Sequence, residues 1–80
     1  MTLYQNFIGI DIGKYTFVVN VNGQKATKIF DNTSQGIKTF IKNYKDILSD
    51  SLTVLETTGG YESLALKILL AKGYAVHRAP

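Results

Sequence analysis

Two acidic residues stand alone in apolar segments of this chain, and their positions suggest metal chemistry. Asp11 lies in the run Phe7–Ile12, and Glu56 lies in the run Leu52–Thr57. A run rich in β-branched apolar residues usually forms a buried strand. A carboxylate there costs free energy unless a partner, such as a bound cation, pairs with it. If the two strands are neighbours, both carboxylates could bind the same divalent metal ion.

The expected geometry of the two strands brings these carboxylates to one place. Side chains alternate along a strand, so Asp11 shares a face with Gly9, and Glu56 shares a face with Val54. Both acids lie near the C-terminal ends of their strands, where ligand sites in open α/β sheets gather. Parallel neighbours lie about 4.8 Å apart, and Gly9 leaves space beside Asp11. Mg²⁺ prefers oxygen ligands, and a pair of such ions stabilises the attacking and leaving oxygens of phosphoryl transfer.

A structural role is the alternative for both residues, and the residues alone leave it open. Asp11 could bond local amides in the turn at Gly13, and Glu56 could bond amides at the start of the following helix. A two-metal site usually needs further acidic ligands, and none is obvious. The other acids fall in loops or at helix ends: Asp31, Asp46, Asp50 and Glu62.

Two further ionisable residues favour structural interpretations. Glu62 falls in the first turn of a predicted helix, where its charge suits the helix dipole. His77 stands alone, so a solvated or packed histidine is expected rather than a metal ligand. The segment 57–61 could bind phosphate through free amides at a helix start, but its glycines are better explained by a sharp turn.

The elements that must position these residues follow from the apolar pattern. Asn22-Gly23 is a strong signal for a hairpin turn, Ser34 is a plausible helix N-cap, and Gly73 is a plausible C-terminal cap. The pattern predicts strands over 6–12, 15–21, 24–30, 52–57 and 74–78, with helices over about 35–47 and 61–72.

This element order predicts the fold class. A hairpin meander is followed by two helical crossovers, and right-handed crossovers place the fourth strand beside the first and the fifth strand outside it. The expected architecture is an α/β fold with a mixed five-stranded sheet in the order 3-2-1-4-5 and two helices. This is the core of the ribonuclease-H-like fold, which the actin-like ATPases share.

Composition sets wider limits. Eighty residues make one small domain or a piece of a larger one, and an apolar share of 45% is too high for a disordered tail. There is no cysteine, which excludes disulfides and cysteine-based zinc sites. The N-terminus lacks the features of a signal peptide, and no apolar helix is long enough to span a bilayer. We therefore expect a cytoplasmic protein with no membrane partner.

The charge suits a nucleic-acid partner without demonstrating one. The formal net charge is +3. Lys38, Lys42 and Lys45 lie on the predicted first helix, away from its apolar stripe. A solvated helix face is the favoured interpretation of these lysines, and a phosphate-binding stripe is the alternative.

Four sequence blocks resemble the DEDD transposases, which are the Piv-invertase-like recombinases of bacterial insertion-sequence family one-ten. Residues 9–14, Gly-Ile-Asp-Ile-Gly-Lys, resemble the opening of these proteins, and residues 55–62, Leu-Glu-Thr-Thr-Gly-Gly-Tyr-Glu, resemble their second block. Residues 32–37 resemble the family's Asn-Thr-x-x-Gly segment, and residues 76–80 resemble a strand that often ends in Asn-Pro. The chain departs from the family at Thr57, where alanine is usual, and at Ala79, where asparagine is common.

The resemblance implies a function for the whole chain. Residues 1–80 would be the N-terminal portion of a RuvC-like catalytic domain, a fragment of a transposase or site-specific DNA recombinase. Asp11 and Glu56 would be the first two acids of the catalytic set and ligands of Mg²⁺, and two further aspartates would lie outside this chain. The fragment alone would be inactive. DNA would be the partner, with a guide RNA in some relatives, and uncovered sheet surface would favour a homo-oligomer.

Two other functions remain open at this point. An actin-like or sugar-kinase-like ATPase also begins with Gly-Ile-Asp-x-Gly, although the tip formed by Lys14, Tyr15 and Thr16 fits that class poorly. The third possibility is a non-enzymatic interaction module in which both acids are structural.

Overall fold

The computed structural model describes residues 3–57 and 59–79, in which five strands and two helices follow the predicted order. The elements are β1 (Asn6–Ile12), β2 (Thr16–Val21), β3 (Thr27–Asp31), α1 (Ser34–Leu48), β4 (Ser51–Thr57), α2 (Ser63–Ala71) and β5 (Ala75–Arg78). Residue 58, within the segment 57–61, and residue 80, which ends the block 76–80, lie outside the described residues.

The five strands form one mixed sheet in the order β3-β2-β1-β4-β5. β1 pairs antiparallel with β2, and β2 pairs antiparallel with β3. β4 pairs parallel with both β1 and β5. The predicted order is confirmed, and with two helical crossovers it is the ribonuclease-H-like arrangement.

The hairpin between β2 and β3 turns where the sequence predicts, but β3 begins later than residue 24. Asn22 and Gly23 have φ angles of 53° and 70°, as a tight hairpin turn requires. The Gln24 amide donates to the Val21 carbonyl at 3.0 Å, and the Asn20 side-chain amide donates to the Gln24 carbonyl. These local bonds occupy the backbone groups of Gln24, so the strand ladder resumes only at Thr27.

Helix α1 starts one residue earlier than predicted, because Thr33 and not Ser34 is its N-cap. The Thr33 hydroxyl accepts a hydrogen bond from the Gly36 amide at 3.0 Å. Gly36 is buried against the end of β3, where an added Cβ would lie 1.9 Å from the Asp31 carbonyl oxygen. The glycine therefore allows the helix to start directly beside the strand.

Both helices pack on the same face of the sheet. In β1 the side chains of Ile8, Ile10 and Ile12 are buried, and the residues between them are exposed. The core lies between this face and the helices and consists of Ile8, Ile10, Ile12, Phe17, Val19, Ile37, Phe40, Ile41, Leu48, Leu55, Ala65 and Leu69. We call the opposite side of the sheet, which carries Phe7, Gly9, Asp11, Val54 and Glu56, the open face.

Neither helix of the described chain is long and apolar enough to cross a bilayer.

Candidate active site

Asp11 and Glu56 occupy paired positions on neighbouring parallel strands. The β1–β4 register places Asp11 opposite Glu56, and Gly9 opposite Val54. Because side chains at paired positions of a parallel ladder point to the same side, both carboxylates lie on the open face. Each is one residue from the C-terminal end of its strand.

Both carboxylates are exposed, so the expectation that they are buried in apolar strands is wrong. β1 is apolar on the core face, whereas β4 places the buried Ser51 and Thr53 there beside Leu55, and the other face of both strands is exposed or half-buried. An exposed carboxylate pays little desolvation cost, and therefore no bound cation is required to explain its presence. Geometry still favours a metal site, because the two acids lie at the same level on one face of the sheet.

The surface between the carboxylates is a shallow concavity. Its volume is about 310 Å³, and its lining comprises Gly9, Ile10, Asp11, Val18, Asn20, Val54 and Glu56. A Cβ added at Gly9 would meet nothing nearer than the Asn20 carbonyl oxygen at 3.9 Å. Gly9 therefore forms the floor of the concavity and leaves room for a ligand beside Asp11.

The turn-forming alternative for Asp11 gains no support from the hydrogen bonds. The Gly13 amide donates to the Thr16 carbonyl at 2.9 Å. Among residues 3–57 and 59–79, no hydrogen bond holds the carboxylate of either Asp11 or Glu56. Their oxygens are thus available to a ligand from the solvent side.

The donor set suits part of a magnesium site. Two carboxylates supply hard oxygen ligands, which Mg²⁺ prefers, and Mg²⁺ commonly binds through one or two carboxylates while it keeps several waters. Within the described part of the chain, no cluster of three or more histidine, cysteine or acidic side chains has a spacing that could hold a metal ion. The remaining acids therefore do not complete the site.

Glu62 takes part in a separate contact. It is the N-cap residue of α2 and is 5% exposed. Its Oε2 accepts a hydrogen bond from Arg78 Nη1 at 3.2 Å, while its buried Oε1 has no partner among the described residues. The contact ties the start of α2 to β5, so Glu62 has a structural role as expected. It precedes the first helical turn rather than lying in it, and its side chain makes no capping hydrogen bond.

His77 lies on the open face, although the sequence offers no sign of it. The β4–β5 register pairs the exposed His77 with Val54. Val54 precedes Glu56 by two residues on the same face of β4, so His77 lies on the strand next to that of Glu56. Only the parallel pairing of β5 brings it to this face.

Asn32 is the positioning residue that the sequence identifies only as part of a family block. Its side-chain amide donates to the Gly13 carbonyl at 3.0 Å and to the Tyr61 carbonyl at 3.1 Å. Gly13 follows β1, and Tyr61 lies in the loop between β4 and α2. One side chain therefore joins the two loops that leave the strands of Asp11 and Glu56.

A protein-family model matches most of the chain. Residues 8–80 match the model of the DEDD transposases of insertion-sequence family one-ten, whose description is "Transposase". A comparison with curated proteins gives no match. The family match includes both paired carboxylates, the Asn32 segment and all of the sheet except the first two residues of β1. The chain belongs to the DEDD transposase family.

Proposed function

We propose that Asp11 and Glu56 are catalytic residues and Mg²⁺ ligands of a DNA transposase. The observation that carries the proposal is the β1–β4 register, which sets the two acids side by side on the open face. DEDD transposases depend in general on divalent metals. The specific ion, its two-metal arrangement and the chemistry of strand transfer are parts of this proposal.

The chain's own residues would bind the metal and leave its outer side accessible. Asp11 and Glu56 would supply two oxygen ligands from a rigid sheet, and Gly9 would leave room for a phosphate oxygen beside them. A bound pair of Mg²⁺ ions supplies stabilisation of the attacking and leaving oxygens in phosphoryl transfer. Because the described residues offer only two nearby carboxylates, the proposal places the remaining two ligands in aspartates outside this chain.

The chain would also have a defined place in the complete protein. Residues 1–80 would be the N-terminal portion of a RuvC-like catalytic domain that acts in the cytoplasm as a homo-oligomer on DNA, with a guide RNA where the family uses one. Membership in a transposase family favours this function over an actin-like or sugar-kinase-like ATPase. The non-enzymatic alternative is tested by metal binding.

The first experiment measures metal binding by the chain itself. Mn²⁺ titrated into isotopically labelled protein should broaden the amide resonances around Asp11 and Glu56, with an affinity on the order of millimolar or weaker because only two protein ligands are present. Asp11→Asn and Glu56→Asn should each remove the effect. Asp46→Asn, which changes an exposed acid on α1, is the matched control. Broadening that is unchanged in both site variants would refute the metal assignment.

The second experiment measures DNA recombination by the complete enzyme. Asp11→Ala and Glu56→Ala should each abolish it, whereas Asp46→Ala should retain it. The 80-residue chain should show no nuclease activity with Mg²⁺. Normal recombination in either site variant, or robust cleavage by the chain alone, would contradict the proposal.

A further inference from the structure

Four lysines from two helices converge on one concavity on the side of the sheet opposite Asp11 and Glu56. The concavity is about 300 Å³ in volume and is lined by Lys38, Ile41, Lys42, Lys45, Lys72 and Tyr74. The first three lysines lie on α1, and Lys72 is the C-cap residue of α2. We call these four lysines the basic patch.

The basic patch holds half of the lysines of the chain without a neutralising acid in its lining. The chain has eight lysines, and four of them face this concavity, whose lining includes no carboxylate. Across residues 3–57 and 59–79 the one ion pair formed is that between Arg78 and Glu62. The four ammonium groups are therefore exposed and available to an external anion.

The spacing of these charges suits a repeating anion. Lys38, Lys42 and Lys45 follow one another at intervals of four and three residues, so they share one side of α1 and span about 10.5 Å along its axis. Phosphates follow one another at about 3.4 Å of duplex axis on each DNA strand. Lys38 and Lys45 can therefore reach phosphates about three steps apart on one strand, with Lys42 between them. Lys72 adds a fourth charge from α2.

The chemistry of the patch favours a duplex backbone over exposed bases. Single-strand binders present aromatic rings on which bases stack, whereas Tyr74, the aromatic residue in the lining, is half-buried. Lysine ammonium groups act as point charges and make phosphate contacts without fixed geometry. Charge complementarity thus indicates contacts with DNA phosphates that do not depend on the base sequence of the DNA.

We propose that the basic patch binds the phosphate backbone of duplex DNA at a surface separate from the carboxylate pair. Because the helices and the open face lie on opposite sides of the sheet, this duplex segment is distinct from the one that would be cut. Binding at the patch needs no metal. The proposal therefore stands or falls independently of the assignment of Asp11 and Glu56.

The test compares two triple variants with equal loss of charge. In EDTA, the binding of the full chain to a fluorescent 20-base-pair duplex is measured by anisotropy from 50 to 200 mM salt. K38Q/K42Q/K45Q should weaken binding at least tenfold at 50 mM salt and reduce the slope of log affinity against log salt by about 2.7, which corresponds to three lost phosphate contacts. The matched control, K25Q/K28Q/K67Q, should change the affinity less than threefold.

Single variants at Lys72 and Lys67 test whether DNA binding depends on the concavity or on any lysine near α2, because only Lys72 lines the concavity. Lys72→Gln should weaken duplex binding severalfold, whereas Lys67→Gln on the same helix should not. All of these lysines are exposed, so circular dichroism should show wild-type folding for each variant.

Three results would overturn the proposal. An equal loss of affinity in the two triple variants would show that only net charge matters. The same variants are measured against a 20-base-pair RNA duplex and an acidic peptide. A loss confined to the RNA would assign the patch to a different nucleic acid, and a loss confined to the peptide would assign it to a protein partner.

Discussion

At the scale of single residues, Asn32 shows how one amide can hold a site together. Its two hydrogen bonds join the loops after β1 and β4, although the residue touches neither carboxylate. Asn32→Ala should lower the free energy of unfolding by about 1–3 kcal/mol, because two hydrogen bonds are lost. Urea denaturation measures this change. Asn43→Ala, which alters an exposed asparagine on α1, should not destabilise the chain, and equal midpoints for the two variants would contradict the assignment.

At the scale of elements, Gly36 sets the approach of α1 to β3. A methyl group there would collide with the Asp31 backbone at 1.9 Å, so the helix must move. Gly36→Ala should destabilise the fold by at least about 2 kcal/mol, because overpacking against backbone outweighs the gain of about 1 kcal/mol in helix propensity. The melting temperature should fall by about 8 °C or more.

Gly9→Ala is the matched control for Gly36→Ala. Its new methyl group would make only an ordinary van der Waals contact, 3.9 Å from the Asn20 carbonyl oxygen. It should leave the melting temperature within a few degrees of that of the wild type. An unchanged melting temperature for Gly36→Ala would show that α1 can shift at little cost.

At the scale of the whole molecule, the helices cover one side of the sheet and leave apolar side chains on the other. Phe7 is 50% exposed and Ile29 is 68% exposed, and the open face also carries Leu52, Val54 and Val18. Uncovered apolar surface of this kind favours association. Phe7→Ser should therefore reduce self-association, measured by sedimentation velocity at high concentration.

The matched control for Phe7→Ser is Leu70→Ser. Leu70 is 52% exposed, nearly the same as Phe7, but it lies on α2 on the opposite side of the sheet. It should leave self-association unchanged. A strict monomer in the wild type would count against the homo-oligomer proposal.

Much of the fold could be predicted because its signals are local. The apolar alternation of β1, the turn at Asn22-Gly23 and the apolar stripe of α1 each depend on neighbouring residues, and right-handed crossovers then fix the strand order. The boundaries of β3 and α1 were less predictable. They depend on side-chain bonds, from Asn20 to Gln24 and from Gly36 to Thr33, that the pattern does not encode.

The sequence by itself determined the element order, the family and the two candidate metal ligands, Asp11 and Glu56. Tertiary structure decided how they are placed: the β1–β4 register pairs Asp11 with Glu56, and the packing of both helices on one face leaves that pair exposed rather than buried. It also brought His77 to the open face and Lys72 to the basic patch. These placements depend on contacts between segments far apart in the chain, and periodicity within one segment cannot specify which face another element will cover.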